Sequence, residues 1–420
     1  MKSITINLVI ILASLISINL DAQLANTWAK GIGGSLTDDS RSVVKDASGN
    51  VYIGGSFQGT VDFDPSAAVY TLTSAGSDDG FIAKYDANGN FIAVYSYTNN
   101  LMCKILSMTV DNNGDVIATG GFSGTVDFDP GVGTDIITAG ASGTNIFIIK
   151  LNANGTHGWA RGIGKAAIDD YGTAVTTDAA NNVLVTGYFQ STLVDFDPGP
   201  GTFTLSALAF KETFVLKLNA AGLFTWAFSL TGNGSESGQT IATDATNNII
   251  IGGYFTGYIT LDPVGTPSTQ VSCGATNDSY IAKYTSAGAY IWGRSYTGNY
   301  VAGVTNICNS LQVDNSGNVY TLGSFKGTVD FNPAAAVYTI SSANSGSEDI
   351  YICKLNNTGN FVWAKTVGGT GIDLGNNLAL DAAGIYATGS FVSSVDFDPS
   401  ASTAVLTSNG LTDVFIADYD

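Results

Sequence analysis

The amino-acid sequence predicts an all-β protein built from six copies of one unit, and three observations carry this prediction. Apolar residues make up 45% of the 420 residues, charged residues only 12%, and 51 residues are Gly. This composition suits short strands joined by tight turns and excludes a helical or coiled-coil fold. A five-residue phrase recurs six times along the chain. Between its copies apolar and polar residues alternate with the period of a β-strand, and turn residues interrupt the alternation.

The recurring phrase sets the length of the unit. It reads Val-Asp-Phe-Asp-Pro at residues 61–65, 126–130, 194–198 and 395–399. Two copies are altered, at residues 259–263 (Ile-Thr-Leu-Asp-Pro) and 329–333 (Val-Asp-Phe-Asn-Pro). Successive prolines of the phrase are 65, 68, 65, 70 and 66 residues apart. Six units of about 66 residues therefore fill residues 23–420 as a single domain.

Each unit contains four main strands and an inserted hairpin. In the first unit the predicted strands are Ser42–Lys45, Val51–Phe57, the hairpin Thr60–Asp64 with Val69–Thr73, then Phe81–Tyr85 and Phe91–Tyr95. An Asp follows the first strand in all six units, where its carboxylate is expected to accept backbone N–H bonds in the turn: Asp46, Asp111, Asp178, Asp244, Asp314 and Asp381. Such a unit has the size of a propeller blade with an extended connection, since plain blades need about 40–50 residues.

The combined motifs resemble a known bacterial repeat. Asp46 to Phe57, Gly59 to Asp64, Asp79 to Asn90 and the Trp-Ala-Lys at 363–365 are similar to the bacterial β-propeller repeat called SBBP, and the likeness covers essentially residues 24–420. The resemblance implies an exported bacterial protein, and it is shared by longer proteins whose C-terminal sorting module sends them to the cell surface. The family name suggests seven blades, whereas the repeat count favours six.

The two ends of the chain predict a closed ring. Complete units end in a strand with an aromatic position, which is filled by Trp159, Trp226, Trp292 and Trp363. The sixth unit ends before that strand, and Trp28 lies at the opposite terminus. We therefore expect a closed β-propeller in which the N-terminal strand around Trp28 pairs antiparallel with Val414–Tyr419 and completes the last blade, since closure removes exposed sheet edges. The alternative is a linear β-solenoid, which needs polar capping repeats that the sequence does not show.

Residues 1–22 have the features of a secretory signal peptide. Lys2 gives a positive start, Ile4–Ile18 is an apolar stretch shorter than the roughly 20 residues of a membrane span, and Ala22 is a small residue at the predicted cleavage point. We expect the remaining chain to be secreted or displayed at the cell surface, with no membrane span. Four cysteines match no zinc signature and are too few for a disulfide framework, so buried free thiols or one incidental bridge are expected: Cys103, Cys273, Cys308 and Cys353.

The ionisable residues give no catalytic set. The single histidine, His157, falls at a position held by Phe91, Phe224, Tyr290 and Phe361 in other units, which indicates an aromatic replacement packed on a strand. The only glutamates are Glu212, Glu236 and Glu348, and Glu212 fills a position that is Asp in most other units. A recurring lysine is expected to form exposed ion pairs of modest value: Lys84, Lys150, Lys217, Lys283 and Lys354. No catalytic residue is predicted, although two Asp at a suitable separation could still build a glycosidase.

The doubled Asp of the phrase is the one candidate metal site. Residues i and i+2 of a strand share a face, so the two carboxylates project together while Val and Phe face the core. Close carboxylates repel, and a hard cation such as Ca²⁺ would relieve this repulsion. The predicted ligands are Asp62 and Asp64, Asp127 and Asp129, Asp195 and Asp197, and Asp396 and Asp398. The alternative is a solvated acidic edge whose second Asp begins the turn before Pro.

The sequence thus predicts an exported, non-catalytic β-propeller that acts as a binding, adhesion or structural module. Its net charge of −19 and pI near 4.1 would repel a phosphate backbone or an anionic lipid surface, so nucleic acid is excluded as a partner. The expected partner is a protein or a glycan at the cell surface or in the matrix. The competing class is an extracellular polysaccharide-active hydrolase or lyase on the same scaffold.

Overall fold

A computed structural model describes residues 28–140, 142–165, 168–208, 210–264, 269–272, 277–298, 305–344, 346–381 and 384–420. Over these ranges the chain forms β-strands joined by turns and contains no α-helix. The strands build six blades arranged as a β-propeller, which confirms the predicted fold class and the blade count of six. Within the same ranges, no helix has the length and apolar character needed to cross a membrane.

Each of the first five blades has four ladder strands and a short hairpin between the second and third of them; the sixth has three ladder strands and the hairpin. Blade one contains β1 (Asp38–Lys45), β2 (Val51–Phe57), β3 (Thr60–Asp62), β4 (Thr71–Thr73), β5 (Asp79–Tyr85) and β6 (Phe91–Tyr97). Blade two contains β7 (Cys103–Val110), β8 (Val116–Phe122), β9 (Thr125–Asp127), β10 (Ile136–Thr138), β11 (Asn145–Leu151) and β12 (His157–Ile163). Blade three contains β13 (Tyr171–Thr177), β14 (Val183–Phe189), β15 (Val194–Asp195), β16 (Thr204–Leu205), β17 (Glu212–Leu218) and β18 (Phe224–Gly232).

The second half of the chain repeats this plan. Blade four contains β19 (Glu236–Thr243), β20 (Ile249–Phe255), β21 (Tyr258–Thr260), β22 (Gln270–Ser272), β23 (Asp278–Tyr284) and β24 (Tyr290–Gly298). Blade five contains β25 (Thr305–Val313), β26 (Val319–Lys326), β27 (Thr328–Asp330), β28 (Thr339–Ser341), β29 (Glu348–Leu355) and β30 (Phe361–Gly369). Blade six contains β31 (Leu374–Leu380), β32 (Ile385–Phe391), β33 (Ser394–Asp396), β34 (Val405–Thr407) and β35 (Asp413–Tyr419).

The turn between the first two strands of each blade is organised by the recurring Asp, as predicted. In blade three, Asp178 Oδ1 accepts the backbone N–H groups of Ala180 and Asn182 at 2.9 and 3.0 Å. Asp178 Oδ2 accepts a third bond from the Asn182 side chain at 2.8 Å. One carboxylate therefore satisfies the open amides of a tight connection, which fixes the register of the two strands that it joins.

The core lies mainly between blades. Five of the six clusters of buried apolar side chains take residues from two neighbouring blades, such as Ile146 and Ile148 of β11 packed with Val183 and Val185 of β14. Hydroxyl groups of the first strands add bonds across the same interfaces; Ser107 Oγ accepts the Val175 amide at 3.2 Å, and Ser42 Oγ accepts that of Met108 at 3.0 Å. Blades are thus held by a shared apolar core, with polar bonds between their first strands.

Tryptophans of the fourth strand anchor blade two on blade three and blade four on blade five. Trp159 Nε1 donates to the carbonyl of Ala220 at 3.3 Å, and Trp292 Nε1 donates to that of Asn357 at 3.2 Å. Each carbonyl belongs to the turn between the third and fourth strands of the following blade. The ring lies flat against the glycine of that turn, Gly359 for Trp292, whose φ of 77° and lack of a side chain leave room for it.

The hairpins of the later blades extend the sheet of the preceding blade. Residues at the end of β18 pair with β21, those of β24 with β27, and those of β30 with β33. The hairpin therefore joins two blades, and it also carries the acidic phrase. The sequence predicted each hairpin but not this pairing across the blade boundary.

The predicted closure by the N-terminal strand is not formed among the described residues, and this corrects the expectation. Trp28 does occupy the anchoring position, since its Nε1 donates to the Ala87 carbonyl of blade one at 2.9 Å, and Ile32 packs on the core of that blade. Residues 28–32 form no strand, however, and β35 pairs only with β32 in the described part of the chain. Thr27 and the residues before it lie outside the described ranges, as does the predicted signal peptide at 1–22.

The cysteines that the structure describes are free. Cys103, Cys308 and Cys353 are buried, in agreement with the expectation of free thiols, and Cys273 lies outside the described residues.

Candidate functional site

The acidic phrase organises the loop of the hairpin. In blade one, Asp62 Oδ1 accepts the backbone N–H groups of Asp64 and Tyr70 at 3.1 and 2.8 Å, and Asp64 Oδ1 accepts that of Ser66 at 2.9 Å. Val61 and Phe63 are buried beneath it. The alternation predicted for the phrase is therefore present, and both carboxylates have a structural role in capping the loop.

The other predicted ligands repeat this arrangement. Asp127, Asp195 and Asp396 each accept two backbone amides, while Asp129, Asp197 and Asp398 each accept one. Within the described ranges, no group of three or more His, Cys, Asp or Glu side chains is arranged to hold a metal ion. Calcium binding by these eight Asp stays a prediction, and main-chain oxygens or water would have to complete the coordination.

Aromatic pairs stand beside the acidic phrase in alternate blades. Ring centroids lie 5.1 Å apart for Tyr70 and Phe91, 5.1 Å for Phe203 and Phe224, and 4.8 Å for Tyr338 and Phe361. The first ring of each pair is 47%, 38% and 42% exposed, respectively. Blades one, three and five therefore present a half-exposed aromatic surface at equivalent places.

The first Asp of the phrase positions the exposed ring of each pair. Asp195 Oδ1 accepts the amide of Phe203 at 2.8 Å, and Asp330 Oδ1 accepts that of Tyr338 at 2.9 Å, as Asp62 does for Tyr70. The eight-residue separation between acceptor and donor is the same in all three blades. Sequence reasoning singled out the acids but missed the rings, although the aromatic residue eight positions after the first Asp was a readable signal.

Blade two replaces the aromatic pair with a hydrogen-bonded carboxylate and imidazole. Asp135 occupies the position of Tyr70, and His157 occupies that of Phe91, with His157 Nε2 2.9 Å from Asp135 Oδ2. The interpretation of His157 as an aromatic replacement at the start of the fourth strand is confirmed by its register opposite Leu151, which matches Phe91 opposite Tyr85.

A shallow concavity of about 190 Å³ lies beside the first aromatic pair. Its wall includes Lys30, Asp64, Asn90 and Phe91. This volume is below the roughly 300–1,000 Å³ of pockets that enclose a small molecule, so the surface is better suited to one unit of a longer ligand.

The recurring lysine forms buried ion pairs in blades two, three and four, so the expectation of exposed ion pairs was wrong there. Lys217 Nζ lies 2.9 Å from Asp178 Oδ2, and Lys283 Nζ lies 2.9 Å from Asp244 Oδ2, with all four side chains less than a tenth exposed. Lys150 makes the same contact with Asp111 at 3.0 Å. The lysines are buried because the side chain runs beneath the first turn to a carbonyl of the next blade, as Lys217 Nζ does to Ser286 at 3.0 Å.

These ion pairs change the acidity of the turn carboxylates. Burial raises the pKa of Asp244, but the Lys283 ammonium and the bonds from Thr246 and Asn248 outweigh it, so the pKa lies well below its usual value. The remaining two recurring lysines differ, because Lys84 lies over the ring of Tyr52 and Lys354 over that of Tyr320. In blades two, three and four the lysine supports the first turn, which is a structural role.

The chain is similar in sequence to a repeat-containing viral protein. No protein-family model matches it. An uncharacterized WD repeat-containing protein of Acanthamoeba polyphaga mimivirus is 25% identical over 471 residues, covering 96% of this chain and 34% of that protein. The chain thus spans about a third of the length of this relative.

Two solved structures are also similar. A protein of unknown function from Bacteroides caccae aligns over 78% of this chain and 81% of its own, with 10% identity and a TM-score of 0.36. Sqt1 from Chaetomium thermophilum aligns over 85% and 95%, with 10% identity and a TM-score of 0.33.

Proposed function

We propose that this protein is an exported, non-catalytic binding module that holds a neutral polysaccharide on the aromatic surface of its hairpins. The propeller fold and the WD-repeat relative indicate a binding or structural module. The observation that carries the finer assignment is the recurrence of half-exposed aromatic pairs in blades one, three and five.

Repetition of one surface suits a repetitive ligand. Each pair offers the flat apolar face of Tyr70, Phe203 or Tyr338, which can stack on the C–H face of a sugar ring. Carboxylates of the acidic phrase stand next to each ring and can accept hydrogen bonds from sugar hydroxyl groups. Several weak contacts on one rigid scaffold add up to a much higher overall affinity when a polymer can reach more than one of them.

The overall charge restricts the chemistry of the ligand. A protein with a net charge of −19 repels anionic polymers, and a neutral glycan avoids this cost. Export is supported by the signal-peptide features of residues 1–22 and by the resemblance to SBBP repeats, and it would place the module outside the cell or at its surface, where such glycans occur.

The test is a screen of the purified protein against a panel of neutral and anionic polysaccharides, measuring both retention and chain cleavage. We expect retention on at least one neutral polysaccharide, weak retention on anionic ones, and no release of reducing ends. Release of new chain ends would establish the competing hydrolase or lyase. Absence of retention on every neutral polysaccharide would contradict the proposal.

A further inference from the structure

Polar side chains meet at equivalent positions in the interfaces between blades. The first side chain of each pair lies near the start of the third strand of one blade, opposite the Phe that ends the second strand. The other side chain lies near the start of the first strand of the next blade, opposite the Phe that ends the second strand of that blade. The five resulting pairs are Asp79 with Cys103, Asn145 with Asp170, Glu212 with Glu236, Asp278 with Asn306, and Asp349 with Asp373. Every one of these side chains is less than a tenth exposed.

The pair between blades four and five shows how such an interface can be satisfied. Asn306 Nδ2 donates to Asp278 Oδ1 at 2.9 Å, and the amide of Gly298 donates to the same oxygen at 3.0 Å. Asn306 Oδ1 in turn accepts the amide of Ser279 at 2.8 Å. A carboxylate and a neutral side-chain amide thus share the interface through a bond in which the amide is the donor.

The pair between blades three and four has two carboxylates and almost no donors. Glu212 and Glu236 are 1% and 0% exposed. The Leu208 amide donates to Glu212 Oε1 at 3.3 Å, while Glu212 Oε2 and both oxygens of Glu236 have no hydrogen-bond partner among the residues that the structure describes. Two ionised carboxylates in this place would be desolvated and would repel each other, which is a large cost.

Within the described ranges, the groups around this pair supply no compensating positive charge. Lys211 precedes Glu212, but its ammonium lies 4.0 Å from the ring of Tyr188 and its resolved electrostatic partner is Asp169. The Tyr280 hydroxyl on β23 faces Glu236 and is bonded to Thr213 Oγ1 at 3.0 Å. Besides Glu212, the backbone amide of Gly234 influences the pKa of Glu236. This amide lowers that pKa because it favours the charged carboxylate.

We propose that Glu212 and Glu236 form a buried proton-binding site between blades three and four, in which a protonated carboxyl of one residue donates a hydrogen bond to the other. The protonated carboxyl is a neutral hydrogen-bond donor, which is the role of the Asn306 side-chain amide at the interface between blades four and five. The ligand is a proton taken from solvent, and its loss leaves two like charges inside the blade interface.

The electrostatics of the two residues agree with this assignment. Burial and, to a smaller extent, the neighbouring Glu212 raise the pKa of Glu236 to about 9, and burial raises the pKa of Glu212 to about 7. Both pKa values are above those of the unfolded chain, about 4.3 for Glu. Protonation therefore stabilises the folded state at low pH, and this stability is lost as the pH rises from about 4.3 through the folded pKa values.

The chain offers a direct measurement, because Glu212, Glu236 and Glu348 are its only glutamates. Labelling glutamate with ¹³C at the δ carbon gives three carboxyl signals in the NMR spectrum of the wild-type protein, and Glu348→Gln identifies the control signal. We expect at least one of the other two signals to titrate more than one pH unit above the usual glutamate pKa of about 4.3. Three signals that all titrate below about pH 5 would overturn the proposal.

Thermal unfolding gives the second readout. Glu236→Gln places a neutral amide beside Glu212, so the loss of melting temperature between about pH 5 and pH 9 is expected to be smaller than in the wild type and in Glu348→Gln. Parallel profiles for all three proteins would contradict the proposal. Recovery of the melting temperature at high pH by calcium, in the wild type but not in Glu236→Gln, would overturn it in favour of a cation site.

Discussion

Two positions that contact each other in the repeat differ together in blade two, where they hold Asp135 and His157. Blades one, three and five place two aromatic rings at these positions, whereas blade two places a carboxylate and an imidazole 2.9 Å apart. The Asp135 side chain is 36% exposed and also accepts the amide of Ala160 at 3.0 Å. The pair is therefore a partly solvated substitute for ring packing.

Exchanging both residues of this pair should restore the pattern of the other blades. His157→Phe alone removes the imidazole that is hydrogen-bonded to Asp135 and should cost up to about 1 kcal/mol, the value of a typical hydrogen bond. Asp135→Tyr with His157→Phe rebuilds the aromatic pair, so the double variant should be at least as stable as the wild type. A double-mutant cycle by thermal unfolding measures the coupling. Additive losses in the double variant would show that the two positions are independent.

The sequence could place His157 but not its partner. The histidine position is visible because the unit repeats, and the period aligns it with Phe91 and Phe224. The partner Asp135 lies 22 residues earlier, on the other side of the third strand, so the contact depends on how the hairpin folds back onto the blade. The buried lysines were misjudged for a related reason, because charge alone predicts exposure and the covering turn of the next blade is distant in sequence.

At the scale of strands, the tryptophan and the turn beneath it are the link between neighbouring blades. Trp292 is 6% exposed and rests on the turn of blade five, whereas Trp363 is only partly buried and lines a concavity of about 300 Å³ beside β31 and β32. No turn after β35 is present in the described residues to cover Trp363. The same side chain therefore occupies two different environments in one molecule.

This difference predicts unequal effects of the same substitution. Trp292→Ala should cost about 3–5 kcal/mol, because it removes a buried ring and leaves a cavity. Trp363→Ala should cost clearly less, since part of its ring already contacts water. Melting temperatures of the two variants and of the wild type provide the measurement. If both variants lose the same stability, the covering turn contributes nothing and the anchoring role of the tryptophan is wrong.

The sequence predicted the bounds of some strands correctly, but it did not predict the end of the hairpin strand or the pairing of the hairpin. The second strand of blade one was predicted as Val51–Phe57 and is observed with these bounds. The hairpin was predicted to run to Asp64, but its strand ends at Asp62 because the two carboxylates cap the loop. The ladder between hairpin and preceding blade could not be predicted, since alternation shows that a strand exists and not which edge it joins.

At the scale of the whole molecule, two sets of acidic side chains respond to pH in opposite directions. Asp178 and Asp244, which pair with buried lysines, have lowered pKa values and lose their contribution as the pH falls. Carboxylates between blades, such as Asp278 with a pKa raised by burial to about 7, lose theirs as the pH rises. Stability should therefore be greatest at mildly acidic pH.

The acidic phrases give a whole-molecule prediction about calcium. If the four complete Asp pairs hold cations, millimolar calcium should raise the melting temperature beyond an equal ionic strength of sodium chloride, since each site adds about 2.7 kcal/mol at a hundredfold excess over Kd. Asp127→Asn with Asp129→Asn should lower the calcium stoichiometry by one. Units with Thr260 or Asn332 lack a full pair and should contribute least. If calcium and sodium chloride raise the melting temperature equally, the Asp pairs bind no calcium and only cap the hairpin loops.

The measurement that tests the account most directly is the retention of stepwise variants on a polysaccharide that binds the wild type. Tyr70→Ala, Phe203→Ala and Tyr338→Ala each remove the half-exposed ring of one pair, and they are combined into double and triple variants. Phe210→Ala, which removes a 52% exposed ring outside the pairs, is the matched control. We expect retention on the polysaccharide to fall with each aromatic pair that is removed and to stay complete for the Phe210→Ala control. Undiminished retention of the folded triple variant would contradict it.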